Sequence, residues 1–322
     1  MRSVEEDMWE NLLFSLDRVM PFFLLILLGY GLKRLKILPE AFLGGVNKYV
    51  YRVALPANLF YNTCRVDVDI GANLRFLGVT ALLILLSFSL IWVTTELCFR
   101  DKTVVGTLVQ GSFRGNFSLL GVPLATAVVG ANAAAPAAMA IAVVIPCYAI
   151  LSVIVLTVRG KQTGSLNLKK ILLGVLTTPL FIGTIAGILV SALRIPVPGM
   201  LYQTAGYVSG TATPLGLMAI GGLFTWKDAT ARLKPALYAA FIKLLLLPLV
   251  MVSICYILGF RGETLFLYFV IFGAPVAVSS YSVAGEMGGD APLAGNILIL
   301  TTLVSSLTLA SGIYLMRTLG WI

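Results

Sequence analysis

Arg114-Gly115-Asn116-Phe117-Ser118-Leu119-Leu120-Gly121-Val122-Pro123 is the stretch whose reading decides the fold. It lies inside an apolar run from about Thr103 to Val129. A bilayer crossing takes about 20 such residues. Yet the run holds a guanidinium, a carboxamide, glycines and a proline. Proline removes a backbone donor and clashes with the preceding turn. A membrane helix tolerates that only where protein or a water-filled cavity satisfies the freed backbone groups. A second run has the same core, Gly273-Ala274-Pro275, followed by Ser279-Ser280-Tyr281. Two Gly-x-Pro interruptions, one in each half of an apolar chain, point to a transporter with two broken helices.

Composition supports a polytopic membrane protein. Hydrophobic residues make up 59% and charged residues 11%, against roughly 25% charged in soluble domains. Apolar runs of about twenty residues are too long for the alternating strands of a membrane barrel, which span ~10 residues, so the class is all-α. The net charge of +9 sits in short loops beside the runs and gives no sign of nucleic-acid binding. Histidine is absent, which removes His-based catalysis, His metal sites and a His proton relay. The cysteines Cys64, Cys98, Cys147 and Cys255 are scattered and form no CxxC pair, so no metal or other cofactor is expected. The acidic start (Glu5, Glu6, Asp7, Glu10) is unlike a basic-led signal peptide.

The pattern predicts ten spans, at about 15–32, 45–63, 74–95, 103–129, 133–157, 171–193, 199–223, 236–258, 265–287 and 292–316. Basic residues concentrate in the odd loops: Lys33, Arg34 and Lys36; Arg100 and Lys102; Arg159, Lys161, Lys169 and Lys170; Lys227, Arg232 and Lys234. By the positive-inside rule the odd loops are cytoplasmic and both termini lie outside the cell (inner or plasma) membrane. Pro21, Gly29 and Pro56 recur as Pro179, Gly187 and Pro214, each displaced by 158 residues, and Lys36-Ile37 recurs as Arg194-Ile195. The Gly-x-Pro at 121–123 recurs at 273–275, displaced by 152. Residues 1–157 and 171–322 therefore read as two repeats of five spans, joined by a basic cytoplasmic linker at 158–170. Five is odd, so the second repeat is inverted, and spans four and nine are the broken crossover helices. The substrate site of such a fold lies near the midplane where they meet.

Ionisable groups inside a membrane are costly and mark function. Arg114 stands roughly 16 Å into span four, at 1.5 Å per residue, on the cytoplasmic side of Pro123. Glu286 lies on the same side of Pro275, so the two are expected at similar depth, paired or flanking an inner vestibule. Peptide groups freed at Gly121, Val122 and Pro123 and at Pro275 would present N–H groups at half-helix N-termini, which favour anions. Asn116 can donate and accept. Ser279, Ser280 and Tyr281 fall on the first turns after Pro275. Asn58 and Arg52 in span two, and Thr211, Thr213 and Pro214 in span seven, are expected to line the same cavity. Lys243 and Glu96 read as interfacial or structural.

Leu55-Pro56-Ala57-Asn58-Leu59-Phe60, Arg114 to Phe117 with Gly121 to Ala125, and Gly273 to Pro275 with Gly285-Glu286 resemble the auxin efflux carrier family, which includes the plant PIN auxin transporters and bacterial malate and malonate permeases. The resemblance runs from the Gly29-Tyr30 region to the last span. It implies a ten-helix fold similar to bile acid/sodium symporters, a crossover at Pro123 and Pro275, and elevator-like motion of the crossover domain against a scaffold. Related folds suggest a homodimer. The resemblance also implies that Asn116, seven residues before the crossover proline, contacts an anionic substrate. The short 158–170 linker resembles compact bacterial members, and Phe117-Ser118 departs from the plant motif.

The expected function is secondary active or potential-driven transport of a small organic anion, a carboxylate or auxin-like molecule, with no cofactor and with Glu286 as the proton or sodium carrier where coupling exists. The partners are that anion and membrane lipid, not nucleic acid. The rivals are sodium- or proton-coupled transport of a neutral or zwitterionic solute, and a channel-like permease. An enzyme is not expected, because there is no histidine and no span carries a central Asp.

Overall fold

A computed structural model describes residues 20–21, 24–64, 70–130, 134–160, 173 and 176–322. The expectations on the acidic N-terminus and on linker residues 161–170 lie outside these. The described residues are helical, with no strand and one isolated antiparallel bridge among them. In chain order the helices are α1 (24–34), α2 (Glu40–Tyr49), α3 (Leu55–Thr63), α4 (Ile70–Cys98), α5 (Lys102–Phe113), α6 (Val122–Val129), α7 (Ala134–Arg159) and α8 (Pro179–Ala192). There follow α9 (Gly199–Gly210), α10 (Ala212–Leu223), α11 (Trp226–Ala231), α12 (Leu233–Phe241), α13 (Leu247–Ile257), α14 (Gly262–Gly273), α15 (Ser279–Glu286) and α16 (Ala291–Thr318). Among the described residues, four stretches, Leu74–Cys98, Met139–Arg159, Leu233–Ile257 and Ala291–Thr318, are long and apolar enough to cross a membrane, and Pro179–Ala192 and Gly262–Gly273 are shorter apolar helices.

Among the described residues, three π-helical turns follow one rule. Val50–Ala54, Phe117–Gly121 and Ile242–Leu246 each run straight into a helix whose second residue is proline: Pro56, Pro123 and Pro248. A proline inside a helix has no N–H for the carbonyl four residues back and its ring crowds that carbonyl. Widening the preceding turn relieves the crowding, and the carbonyls of Val50 and Ile242 accept from Leu55 and Leu247, five residues on. Ile242–Leu246 therefore joins α12 to α13 as one continuous rod.

The packing repeats at a fixed displacement. A Cβ at Gly29 would run into the Met218 backbone of α10, and a Cβ at Gly187 would stand 3.1 Å from the Phe60 Cα of α3. Both the glycines (29 and 187) and their partners (60 and 218) are 158 positions apart, with partners exchanged. Lys36 (φ 61°) and Arg194 (φ 51°), also 158 apart, are the described non-glycine residues with positive φ. Each closes a helix through the same pair of bonds: Ile37 N–H to Leu32 O and Lys36 N–H to Lys33 O, then Ile195 N–H to Val190 O and Arg194 N–H to Ser191 O, all 3.0 Å. That is a left-handed helix stop of the Schellman type. Such a φ is strained for a side-chain-bearing residue, but a cation there faces the negative end of the helix dipole.

At the end expected to face the cytoplasm, Glu96 gathers Arg159 (2.8 Å) and Lys102 (3.2 Å), tying together the ends of α4, α5 and α7. Glu96 is thus structural, as its position at a span end suggests.

Candidate functional site

The site is built where two helices stop against each other. α5 ends at Phe113, and Arg114 is extended (φ −80°, ψ 114°). α14 ends at Gly273, and Ala274 is extended (φ −60°, ψ 144°), the region into which a following proline forces a residue. The two extended segments cross antiparallel: Gly115 bridges Val276, and the Asn116 N–H donates to the Pro275 carbonyl at 2.7 Å. The Val276 N–H donates to Thr301 Oγ1 at 3.3 Å. The close approach needs glycine at 115, because a Cβ there would stand 3.0 Å from both the Ile271 carbonyl oxygen and Lys243 Nζ.

This corrects the expected position of the first interruption. The chain leaves helical geometry at Arg114–Asn116, not at Gly121–Pro123. Gly121 closes the π turn, and Val122 and Pro123 open α6 as its first two residues, where a missing N–H costs little. Gly121 is enclosed, with Phe117 Cδ2 2.6 Å and Val270 Cγ1 2.8 Å from where its Cβ would be.

A cavity of about 70 Å³ opens beside the crossing. Its polar lining comes from Asn58 of α3, Arg114 and Asn116 at the first break, Tyr148 of α7, Thr213 of α10 and Ser279 of α15; its apolar lining includes Leu55, Phe117 and Val278. Arg114 is buried at 6% exposure. Its guanidinium donates to Ser279 Oγ at 2.6 Å and to Ser152 Oγ at 3.5 Å. Among the described residues it forms no ion pair. Ser279 is the first residue of α15, so this cation is held at a helix N-terminus, which already carries partial positive charge. The carboxamide of Asn116, itself buried, makes no side-chain hydrogen bond among the described residues. Asn58 donates to Ser209 Oγ at 2.7 Å.

Arg114, Asn116, Asn58 and Ser279 therefore line one cavity. Others do not join them. Arg114 and Glu286 are not paired. Glu286 closes α15 seven residues after Ser279, roughly 10 Å along the helix at 1.5 Å per residue, and it is half-buried outside the cavity lining. Ser280 is buried, and its hydroxyl has no hydrogen-bond partner among the described residues. Tyr281 turns to a separate cavity of about 30 Å³ with Ile220, Phe224, Thr225, Pro292 and Asn296. Successive helical residues point about 100° apart, so three neighbours cannot share one wall. Pro275 contributes its carbonyl to the crossing, and Arg52 is exposed. Tyr148 and Lys243 carried no sequence signal for the site. Tyr148 lines the cavity and donates to the Ile271 carbonyl at 3.2 Å. Lys243 is fully buried, which leaves the structural of its two expected readings and not the interfacial one.

The model of the family described as membrane transport protein matches residues 14–313. A Methanothermobacter thermautotrophicus protein named "Uncharacterized transporter" is 24% identical over 296 residues, covering 92% of this chain and 96% of its own length. A Rhizobium meliloti protein named "Putative malonate transporter" is 26% identical over 306 residues, covering 93% and 95%.

Proposed function

The chain belongs to the membrane transport protein family, the auxin efflux carriers, and from that premise we propose that it moves a small organic anion, a mono- or dicarboxylate, across the cell membrane by alternating access. The family and its named relatives are transporters rather than enzymes. The observation that carries the anion is Arg114. A buried cation left unpaired is costly, and this one is set against the positive end of α15. A carboxylate beside it would neutralise both and accept from the guanidinium fork. Asn116 and Asn58 supply the polar contacts around it. A water takes up roughly 30 Å³ of liquid volume, so the cavity has room for about two waters, the scale of a small polar group. The name of the Rhizobium relative agrees with a carboxylate.

The wider architecture is part of the proposal: ten spans, two inverted repeats at 1–157 and 171–322 joined by the linker at 158–170, and the crossing of spans four and nine carried by one body that moves against the other. The exchanged glycine contacts, the twin helix stops 158 residues apart and the hydrogen-bonded breaks support it. With odd loops cytoplasmic, export is driven by the potential alone, since one charge across 100 mV is worth ~2.3 kcal/mol. Uptake needs a co-transported cation per charge, and Glu286 is proposed to carry it. Glu286→Gln then removes the pH and sodium dependence of anion uptake while leaving anion binding intact; an unchanged dependence takes Glu286 out of coupling.

Substrate class is tested by thermal shift of the purified protein with malate, malonate, succinate, lactate, indole acetate and amino acids, with and without sodium. A ligand at 100 times its Kd stabilises the fold by ~2.7 kcal/mol. At least one carboxylate is expected to raise Tm. Asn116→Ala should weaken it by about 10- to 100-fold, because a hydrogen bond to a charged group contributes ~1.5–3 kcal/mol. A response to neutral solutes alone would replace the anion with a neutral or zwitterionic cargo.

A further inference from the structure

Lys243 is among the largest fully buried side chains of the protein and is unused by the site as described so far. It lies in the π turn Ile242–Leu246, and single π turns inside helices recur at functional sites. Its ammonium donates to the Phe272 carbonyl at 2.9 Å. Phe272 is the penultimate residue of α14, whose last carbonyls lose their helical partners at the Ala274–Pro275 break. Tyr148, from α7, satisfies the neighbouring Ile271 carbonyl. Among the described residues Lys243 forms no ion pair.

The ammonium also reaches the cavity wall. Nζ stands 3.0 Å from the point where a Gly115 Cβ would be, and Gly115 lines the cavity together with Arg114 and Asn116. Lys243 is absent from that lining. It therefore places an amine one residue behind the wall, on the carbonyl end of α14.

We propose that Lys243 is a positioning and charge-supplying residue of the anion site: without touching the substrate, it adds positive potential through the Gly115 wall and holds the α14 end against the crossing. The inference rests on the anion reading of the cavity. It makes the site doubly cationic, with Arg114 in contact and Lys243 behind. The hydrogen bond alone would serve as a cap on a helix end; the charge behind glycine does more, because glycine lets it approach closest where the anion binds. At an effective dielectric of about 20 and a separation on the order of 10 Å, the attraction corresponds to about tenfold in affinity.

The test compares Lys243→Gln and Lys243→Met in the purified full chain, reading the malonate Kd by calorimetry and the ligand-free Tm. Gln keeps a donor for the Phe272 carbonyl and removes the charge; Met removes both. Both variants are expected to bind malonate about tenfold more weakly, with a ligand-free Tm no lower for Lys243→Gln than for wild type. Gly115→Ala, which pushes Nζ and the Ile271 carbonyl back, should weaken malonate while Lys243 is intact. Wild-type affinity in Lys243→Gln with a loss only in Lys243→Met would reduce the lysine to a helix cap and overturn the proposal. Should wild type bind malonate and every other carboxylate of the panel not at all, the anion reading itself fails and this inference with it, an outcome distinct from wild-type binding that the variants share.

Discussion

Arg114→Gln is expected to weaken the bound carboxylate by at least about 30-fold and to lower transport at subsaturating substrate by the same factor. Truncating one member of a buried hydrogen-bonded charge pair costs ~2–5 kcal/mol, and each 1.4 kcal/mol is tenfold. The same change should not destabilise the empty protein. Arg114 has no ion-pair partner among the described residues at 6% exposure against the N-terminus of α15, and an uncompensated buried charge is destabilising, so a neutral group in its place removes that cost. The signature is thus a split: ligand-free Tm kept or raised, carboxylate-induced shift lost. Arg114→Lys keeps the charge without the planar fork and should fall between. Loss of ligand-free stability with unchanged affinity would make Arg114 a structural residue.

Gly221→Ala is expected to have the largest effect on the fold. The new methyl would strike the Ile26 carbonyl oxygen, with the Ile26 carbonyl carbon 2.8 Å and its Cα 3.1 Å away. These are backbone atoms of α1, so relief requires moving one helix off another. Overpacking costs ~1–3 kcal/mol where side chains can yield and more where they cannot. Against a total of ~5–15 kcal/mol, a fall in Tm on the order of 5 °C or more is expected in detergent. Gly31→Ala in α1 and Gly44→Ala in α2 meet nothing within 4 Å and should gain ~0.5–1 kcal/mol from helix propensity. Equal behaviour of all three would deny the backbone-to-backbone packing of α1 on α10.

Much of this was legible in the sequence, for identifiable reasons. Long apolar runs and proline punctuation gave the helices. Arg114 and Asn116 stood out because charge and carboxamide are rare in such runs. Pro275 falls at the end of α14, because the residue before a proline is forced into extended geometry. Pro123 misled by position: the π turn at Phe117–Gly121 absorbs it, and the break forms at Arg114–Asn116, where Gly115 allows the second segment to approach. Tyr281 was grouped with Ser279 on proximity in sequence, but helical rotation carries it to another cavity. Lys243 reads from sequence only as interfacial or structural; what recruits it is the carbonyl of Phe272, 29 residues away, which only tertiary structure brings near.

The most direct test of the central claim is efflux of radiolabelled malonate, malate and lactate from proteoliposomes holding the purified chain, in sodium-free buffer, under an imposed interior-negative potential. At least one anion should leave by a saturable route that accelerates as the interior becomes more negative, and Arg114→Gln should bring it close to the protein-free rate at subsaturating anion. No saturable anion flux above protein-free vesicles, or equal flux from wild type and Arg114→Gln, would contradict an anion carrier built around Arg114.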